Sequence, residues 1–170
     1  MKNLSATPMN IQHAQLIAAM MNYDQGDARR IQHFIKVHDF ATAIGTLEHI
    51  DPDTLFILET AAIVHDIGIH VAEKKYGDSN GKLQEKEGPA EAQKLLEKVG
   101  GYTPEQIERV KFLIGHHHTY TNIKGIDYQI LVEADFLVNI YEDQLGIAAI
   151  ENVKRTIFKT KTGTRFLEDL

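Results

Sequence analysis

Hydrophobic residues recur along most of the chain at intervals of three and four, the spacing that places them on one face of an α-helix. This pattern covers segments 11–21, 31–47, 55–67, 90–99, 107–114, 130–141 and 147–158. No stretch alternates apolar and polar residues for long enough to indicate a strand. The pattern therefore predicts an all-α protein, a bundle of about six or seven helices.

Polar residues mark several of the predicted helix starts. Asp51-Pro52 and Thr103-Pro104 each place a capping side chain before a proline in the first turn. Gly88-Pro89-Ala90 predicts a further start, and Asp127 is a candidate cap for the helix that follows it.

Gly68 and Gly100-Gly101 follow apolar runs and predict helix ends. Segment 76–87, YGDSNGKLQEKE, has the composition of a surface loop that could overhang a site. No linker or repeat interrupts the chain, so we expect residues 1–170 to form a single domain. Its core would span about 12–141, and a C-terminal helix and tail would occupy 146–170.

The amino-acid composition limits the kinds of catalytic and metal sites that the chain can form. The chain has 170 residues, of which 43% are hydrophobic and 25% charged, as in a folded globular protein. It has no cysteine, which excludes disulfides, thiolate metal sites and cysteine nucleophiles, so any metal must be bound by nitrogen and oxygen. We find no secretion signal or membrane-spanning run and expect a cytoplasmic protein without a membrane partner.

The net charge of −6 disfavours a nucleic-acid partner, because such binding depends on neutralising phosphates. A small anionic substrate remains compatible with a locally positive cleft. We interpret Arg29, Arg30, Lys74, Lys75 and the positive residues of 154–165 as solvated surface charges.

The run AAIVHDIG, residues 61–68, ends an apolar segment with His65 and Asp66 side by side. An unpaired carboxylate in such a place costs several kcal/mol, and a metal ion is a partner that satisfies both groups. Asp135 is likewise a carboxylate within an apolar segment, LVEADFLVN, and needs a partner for the same reason. His33 lies on an apolar stripe with Val37 and should also face inward.

The other histidines are more ambiguous. His38 lies five positions after His33, about 140 degrees around a helix, so the two cannot share a site. We interpret His38 as a surface or packing residue, and His13 and His49 as surface residues. Three consecutive histidines, His116, His117 and His118, follow an apolar helix. They either line a pocket for a metal or a phosphate, or form a solvated surface tract.

The order His33, His65-Asp66, Asp135 resembles the H…HD…D signature of the HD-domain metal-dependent phosphohydrolase superfamily. The resemblance spans about residues 12–141. It implies an HD-type helical bundle in which His33, His65, Asp66 and Asp135 bind a divalent metal. One or two ions of Mn, Fe, Co, Ni, Zn or Mg suit such nitrogen and oxygen ligands. A metal-activated water would then hydrolyse a phosphate ester, and we expect the substrate to be a small nucleotide or a similar molecule.

The resemblance also suggests roles around this set. Asp66, His117 and His118 are the candidate catalytic residues, and His117, His118 and Glu85 are candidates for a second metal or the substrate phosphate. Arg30 is a candidate phosphate contact. Glu87 and Glu85 lie near the place of a histidine found in two-metal relatives, where this chain has Gln84.

The chain departs from the family at Ile69, where many relatives have a lysine and the single-metal nucleotidases a glutamate. No general acid is identified, although His70, His116 and Lys74 are candidates. Ile69 favours one alternative to a mono- or diesterase, a non-catalytic nucleotide or metal sensor. A di-iron oxygenase on the same frame is a second, because a two-iron centre in this scaffold can do redox chemistry. The substrate identity and the oligomeric state, including a homodimer, stay open as well.

Overall fold

The computed structural model describes residues 9–170, and this part of the chain contains nine α-helices and no strand. The helices are α1 (Ile11–Tyr23), α2 (Ala28–Leu47), α3 (Pro52–Val64), α4 (Ile69–Tyr76), α5 (Gly81–Val99), α6 (Pro104–Ile114), α7 (Ile126–Glu142), α8 (Ile147–Thr156) and α9 (Lys161–Asp169). The all-α prediction is confirmed. The short helices α4 and α9 were not predicted.

Helix α3 lies at the centre, in contact with α1, α2, α6 and α7. Its residues 60–64 are all fully buried, as expected of a helix that is apolar on every side. Within the described residues, the stretch Pro52–Tyr76 is long and apolar enough to cross a membrane, but 61% of its apolar window is buried in the protein. Its place in the core accounts for that apolarity.

The C-terminal segment packs back on the bundle through Glu133 of α7. Glu133 is fully buried, and its carboxylate accepts hydrogen bonds from the backbone N–H groups of Lys159 (2.7 Å) and Thr160 (2.9 Å). The Thr160 side chain in turn caps α9 by accepting from Gly163 N. A buried carboxylate thus holds the start of α9 against α7.

Two of the predicted helix starts are confirmed. Asp51 accepts a hydrogen bond from Thr54 N, and Thr103 accepts one from Gln106 N in a capping box. Asp127 does not cap α7, because Gly125 precedes that helix. Asp127 instead lies in the first turn and pairs with Arg109 through two hydrogen bonds.

The predicted helix start at Gly88-Pro89-Ala90 is wrong, and so is most of the predicted loop 76–87. Helix α5 begins at Gly81, capped by Asn80, and Pro89 lies inside it. The Asn80 side chain accepts from the N–H groups of Lys82 and Leu83, which gives the helix a start two turns earlier. Packing of α5 against α4 and α6 compensates for the backbone hydrogen bond that proline cannot donate.

Gly68 was predicted to end a helix, but α3 ends at Val64 and Gly68 precedes α4. Its φ of −74° is open to any residue. A Cβ at this position would lie 2.7 Å from Gly88 N and 2.8 Å from the Gln84 carbonyl oxygen. Glycine is therefore required for the close approach of α5 to the turn that follows α3.

Candidate metal centre

His65 and Asp66 lie in the turn that joins α3 to α4, directly after the last residue of α3. Adjacent residues on a regular helix point about 100 degrees apart, so they can face one point only where the helix has ended. The turn, with Ile69 N donating to the Asp66 carbonyl oxygen, provides that place. His33 approaches it from α2 and Asp135 from α7.

These four side chains form what we call the four-ligand cluster. His33 Nε2 lies 3.1 Å from His65 Nε2, 3.2 Å from Asp135 Oδ1 and 3.4 Å from Asp66 Oδ2. His65 Nε2 lies 3.5 Å from Asp66 Oδ1 and 3.6 Å from Asp135 Oδ1. Ligands about 2.0 to 2.2 Å from a shared cation are separated by about 2.8 to 3.6 Å, so each of these five distances is compatible with two ligands of one ion.

The hydrogen bonds behind the two imidazoles also fit a cation. His33 Nδ1 donates to Glu142 Oε2 and His65 Nδ1 donates to the Ala62 carbonyl oxygen, since neither oxygen can donate. In the neutral rings, both Nε2 atoms are then lone pairs that face each other at 3.1 Å. A divalent cation between them removes this repulsion, as does a proton.

The close contact of imidazoles and carboxylates shifts the pKa values of His33 and Asp66. Burial opposes a charge on His33, but the hydrogen bond to Asp135 and the charge of Asp66 outweigh burial and raise the pKa of His33 to about 9. Burial would also raise the pKa of Asp66, yet His65 and His117 hold that pKa below its ordinary value. Without a metal, the cluster therefore binds protons in its place.

Two residues of α7 support the cluster and were not predicted from the sequence. Glu142 accepts from His33 Nδ1 at 2.8 Å and also pairs with Lys36, while Asn139 donates to Asp135 Oδ1 at 3.0 Å. Asn139 and Glu142 follow Asp135 by four and seven positions and thus lie on its face of the helix. This spacing from Asp135 is the feature of the sequence by which the two residues could have been found.

His117 lies beside Asp66 and is fully buried, and a ligand atom of His117 also lies within 4.8 Å of ligand atoms of His65 and Asp135. Its Nδ1 donates to the Ile114 carbonyl oxygen, and its Nε2, which has no hydrogen-bond partner, lies 3.4 Å from Asp66 Oδ1. Asp66, His117 and His118 together could hold a second ion. Asp66 Oδ1 lies 3.4 Å from His117 Nε2 and 3.5 Å from His65 Nε2, so this oxygen is near both positions.

His118 is less ready to bind a metal than His117. Its Nε2 lies 2.9 Å from Gln84 Oε1 and its Nδ1 lies 3.2 Å from the Tyr120 hydroxyl, so both nitrogens are engaged. Burial, together with the neighbouring His117, lowers the pKa of His118 to about 4. The ring is therefore neutral near neutral pH.

Neither predicted glutamate reaches the cluster. Glu85 accepts from His118 N and from the Thr119 hydroxyl and pairs with Lys82, so it holds the turn after α6 in place. Glu87 pairs with Lys75 and accepts from Tyr76. Among the described residues, neither belongs to a group whose ligand atoms lie close together.

A small cavity of about 150 Å³ opens beside the four-ligand cluster. Its lining consists of Arg29, Arg30, His33, Asp66, Gln84, His118, Asp135, Asn139, Glu142 and Asp143. Arg29 and Arg30, interpreted from the sequence as solvated surface charges, both line it. Arg29 pairs with Asp143 at the rim. The candidate acids His70, His116 and Lys74 are not among its lining residues.

The predictions for the remaining histidines had mixed outcomes. His13 is 1% exposed and His38 is 3% exposed, so the expectation that His13 lies on the surface is wrong. Both face Glu59 of α3. His49 is exposed, as expected. The sequence around His13 does not show which residues of α3 pack against it. Its burial could therefore not be predicted.

Comparison with known proteins identifies one similar solved structure. No protein-family model matches the chain, and no curated protein matches it. A crystal structure described as a predicted HD superfamily hydrolase, from an uncultured Thermotogales bacterium, is 25% identical with a TM-score of 0.65. The alignment covers 92% of this chain and 83% of that one. The likeness confirms the predicted HD-type fold and the resemblance to the HD superfamily, and it supports a hydrolase.

Proposed function

From an HD-type bundle with a buried cluster of two imidazoles and two carboxylates, we propose a metal-dependent hydrolase of small phosphate esters. The observation that carries the proposal is the convergence of His33, His65, Asp66 and Asp135 within 3.6 Å of one another along the measured pairs. The nitrogen and oxygen donors suit Mn, Fe, Co, Ni, Zn or Mg, in one or two ions.

The cation, when bound, would neutralise charge on the phosphoryl oxygens and lower the pKa of water enough to make it a nucleophile. The protein's own residues keep the site ready for this chemistry. Glu142 and the Ala62 carbonyl fix the tautomers of His33 and His65, so that both Nε2 atoms face the cluster. Asp66 and Asp135 supply the negative charge that a divalent ion requires.

The cavity supports a small phosphorylated substrate. At about 150 Å³ it is below the usual range for whole-ligand pockets, roughly 300 to 1,000 Å³, so it suits a phosphoryl group with the rest of the substrate outside. Arg30, 29% exposed on its side chain, and Arg29 offer guanidinium groups at one wall. His118, neutral near pH 7, is suited to accept or donate a hydrogen bond rather than to protonate a leaving group.

The proposal is tested with chelator-stripped protein, a panel of phosphomonoesters and phosphodiesters that includes nucleotides, and each candidate metal in turn. We expect metal-dependent hydrolysis that Asp66→Ala reduces by at least about a hundredfold, because a ligand shared by the whole site is lost. Asp53→Ala is the matched control, because it makes the same change at an exposed aspartate in the first turn of α3. Equal activity in Asp66→Ala and the wild type would refute the proposal.

A non-catalytic nucleotide or metal sensor is the second candidate, and Ile69 favours it. Ile69 is 1% exposed, so the position of the family's lysine or glutamate lies in the core and offers no acid or base. Under this alternative, the same panel would reveal nucleotide binding by calorimetry without turnover under any metal. Turnover of any phosphoester that depends on Asp66 excludes it.

A further inference from the structure

A second buried cluster of metal-binding residues lies away from the four-ligand cluster. His13 of α1, His38 of α2 and Glu59 of α3 each offer a ligand atom, and these atoms lie within 4.8 Å of one another. His38 Nε2 lies 3.1 Å from Glu59 Oε1, and His13 Nδ1 lies 3.5 Å from Glu59 Oε2. We name these three residues the His2Glu cluster.

The hydrogen bonds of His13 leave one ring nitrogen without a partner. His13 Nε2 lies 3.3 Å from the Phe56 carbonyl oxygen and 3.2 Å from the Thr60 hydroxyl. The carbonyl can only accept, and the Thr60 hydroxyl donates its own proton to that same carbonyl. The proton of the neutral ring therefore resides on Nε2, and Nδ1 is a lone pair.

That lone pair is buried and points at a carboxylate. His13 is 1% exposed, and its Nδ1 is among the buried atoms with no hydrogen-bond partner. Burial lowers the pKa of His13, so the ring is neutral near neutral pH. A bare nitrogen facing Glu59 Oε2 at 3.5 Å is repulsive, since neither atom carries a hydrogen. A cation bound to both atoms turns this repulsion into two favourable contacts.

The surroundings hold the three ligands in place. The His13 ring stacks on Phe56, with the ring centres 4.6 Å apart. The Thr42 hydroxyl donates to the His38 carbonyl oxygen at 2.8 Å and lies 3.1 Å from Glu59 Oε1, while the exposed Asp39 lies 3.5 Å from His38 Nδ1. In the metal-free protein, His38 Nε2 donates to Glu59 Oε1 at 3.1 Å, so a metal would bind Nε2 with the ring proton moved to Nδ1, beside Asp39. This is the arrangement in which a carboxylate behind a histidine fixes its tautomer.

The His2Glu cluster is separate from the four-ligand cluster. On α2, His38 follows His33 by five residues, and on α3, Glu59 precedes His65 by six. The two helices therefore run antiparallel, with the clusters about 8 to 9 Å apart along them. The five-residue offset also turns His38 by about 140 degrees away from His33. One ion cannot serve both clusters.

We propose that His13, His38 and Glu59 bind one divalent cation of the zinc, cobalt or nickel class, which ties α1 to α2 and α3. Two neutral imidazoles and one carboxylate form a ligand set known for zinc, whereas calcium and magnesium prefer oxygen ligands only. The Glu59 side chain is 16% exposed, so solvent has access to a fourth position and the ion has a way in. The inference does not depend on hydrolase activity.

The test counts zinc. Chelator-stripped protein is loaded with excess Zn²⁺, freed of unbound metal and analysed by mass spectrometry for zinc per chain. We expect the wild type to hold one more ion than Glu59→Gln. The control Glu151→Gln makes the same change at an exposed position of α8 and should match the wild type. A double variant, Asp66→Asn with Asp135→Asn, should keep the ion that Glu59→Gln loses.

Equal zinc content in Glu59→Gln and the wild type overturns the proposal, because the three residues then form only a hydrogen-bonded cluster. Circular dichroism checks that each variant is folded. A second measurement needs no variant: anomalous diffraction from wild-type crystals soaked in Zn²⁺. A peak between His13 Nδ1, His38 Nε2 and Glu59 supports the site. No peak there, while the four-ligand cluster is filled, overturns it.

Discussion

Two histidines of the candidate site are oriented by the same local hydrogen bond. His65 and His117 each follow the end of a helix, and each donates from Nδ1 to a carbonyl three residues earlier, that of Ala62 and Ile114. Carbonyls in the last turn of a helix lack intrahelical partners, so the rings satisfy them without disturbing the helix. Both Nε2 atoms are thereby turned toward Asp66.

Glu142 positions His33, and replacing it tests whether that hydrogen bond supports metal binding. Glu142→Ala removes the acceptor of His33 Nδ1, so the ring loses both its fixed tautomer and its orientation. We expect the metal affinity to fall about ten- to a hundredfold, as for other carboxylates behind a ligating histidine. Isothermal titration calorimetry measures the affinity. Asp143→Ala, which removes the next carboxylate along the chain, should change it little, and equal losses in both variants would contradict this role.

The raised pKa of His33 predicts how metal binding depends on pH. In the metal-free protein, His33 is protonated below about pH 9, and a metal can bind Nε2 only after that proton leaves. The apparent affinity should therefore fall as the pH drops, by about tenfold per pH unit for each proton released. Calorimetry in buffers of different ionisation enthalpy counts the protons. No proton release at pH 7 would contradict the assignment of His33 as a ligand.

The four ligands could be found from the sequence because each carries a signal of its own. Asp66 and Asp135 are carboxylates in apolar surroundings, and His33 lies on an apolar stripe. Glu142 shares the Asp135 face of α7 and Glu59 follows an apolar run, but neither position shows which histidine it contacts. Their partners, His33 for Glu142 and His38 for Glu59, come from other helices, and only the tertiary structure brings them together.

At the level of helices, the turn after α3 depends on its fit against α5. Gly68→Ala would place a Cβ 2.7 Å from Gly88 N and 2.8 Å from the Gln84 carbonyl oxygen, and backbone atoms cannot move aside as a side chain can. We expect the free energy of unfolding to fall by about 1 to 3 kcal/mol. Because His65 and Asp66 belong to the same turn, metal affinity should fall too.

Urea denaturation measures this loss of stability. Gly146→Ala is the matched control, because no atom lies within 4 Å of the added Cβ and its φ of −73° suits any residue. Its effect should stay within about 0.5 kcal/mol. If Gly68→Ala were as stable as the control, the close contact between α5 and the turn would not exist as described.

Helix starts were predictable where a capping side chain and a proline coincide, as at Asp51 and Thr103. Helix starts were not predictable where a proline lies inside a helix, as Pro89 does in α5. There, the cap at Asn80 and packing against neighbouring helices outweigh the signal of Gly-Pro. Helix α4 was missed because only four residues separate it from α3 and its pattern merges with the preceding apolar run.

At the level of the whole molecule, the antiparallel pair α2 and α3 carries both candidate metal sites on different faces and at different heights. The sequence predicted an all-α fold because the helical spacing is clear in seven segments. It did not predict which faces of α1, α2 and α3 meet, since that depends on packing among all the helices. The buried position of His13 is a direct consequence of that packing.

The central claim is that His33, His65, Asp66 and Asp135 bind one divalent cation. The most direct measurement is a titration of chelator-stripped protein with Mn²⁺, with free Mn²⁺ counted by electron paramagnetic resonance. We predict a high-affinity site in the wild type and in Asp53→Ala, which removes an exposed aspartate of α3, that is lost in Asp135→Ala, with folding of each variant checked by circular dichroism. Binding of Mn²⁺ by Asp135→Ala with the wild-type stoichiometry and affinity would contradict the claim.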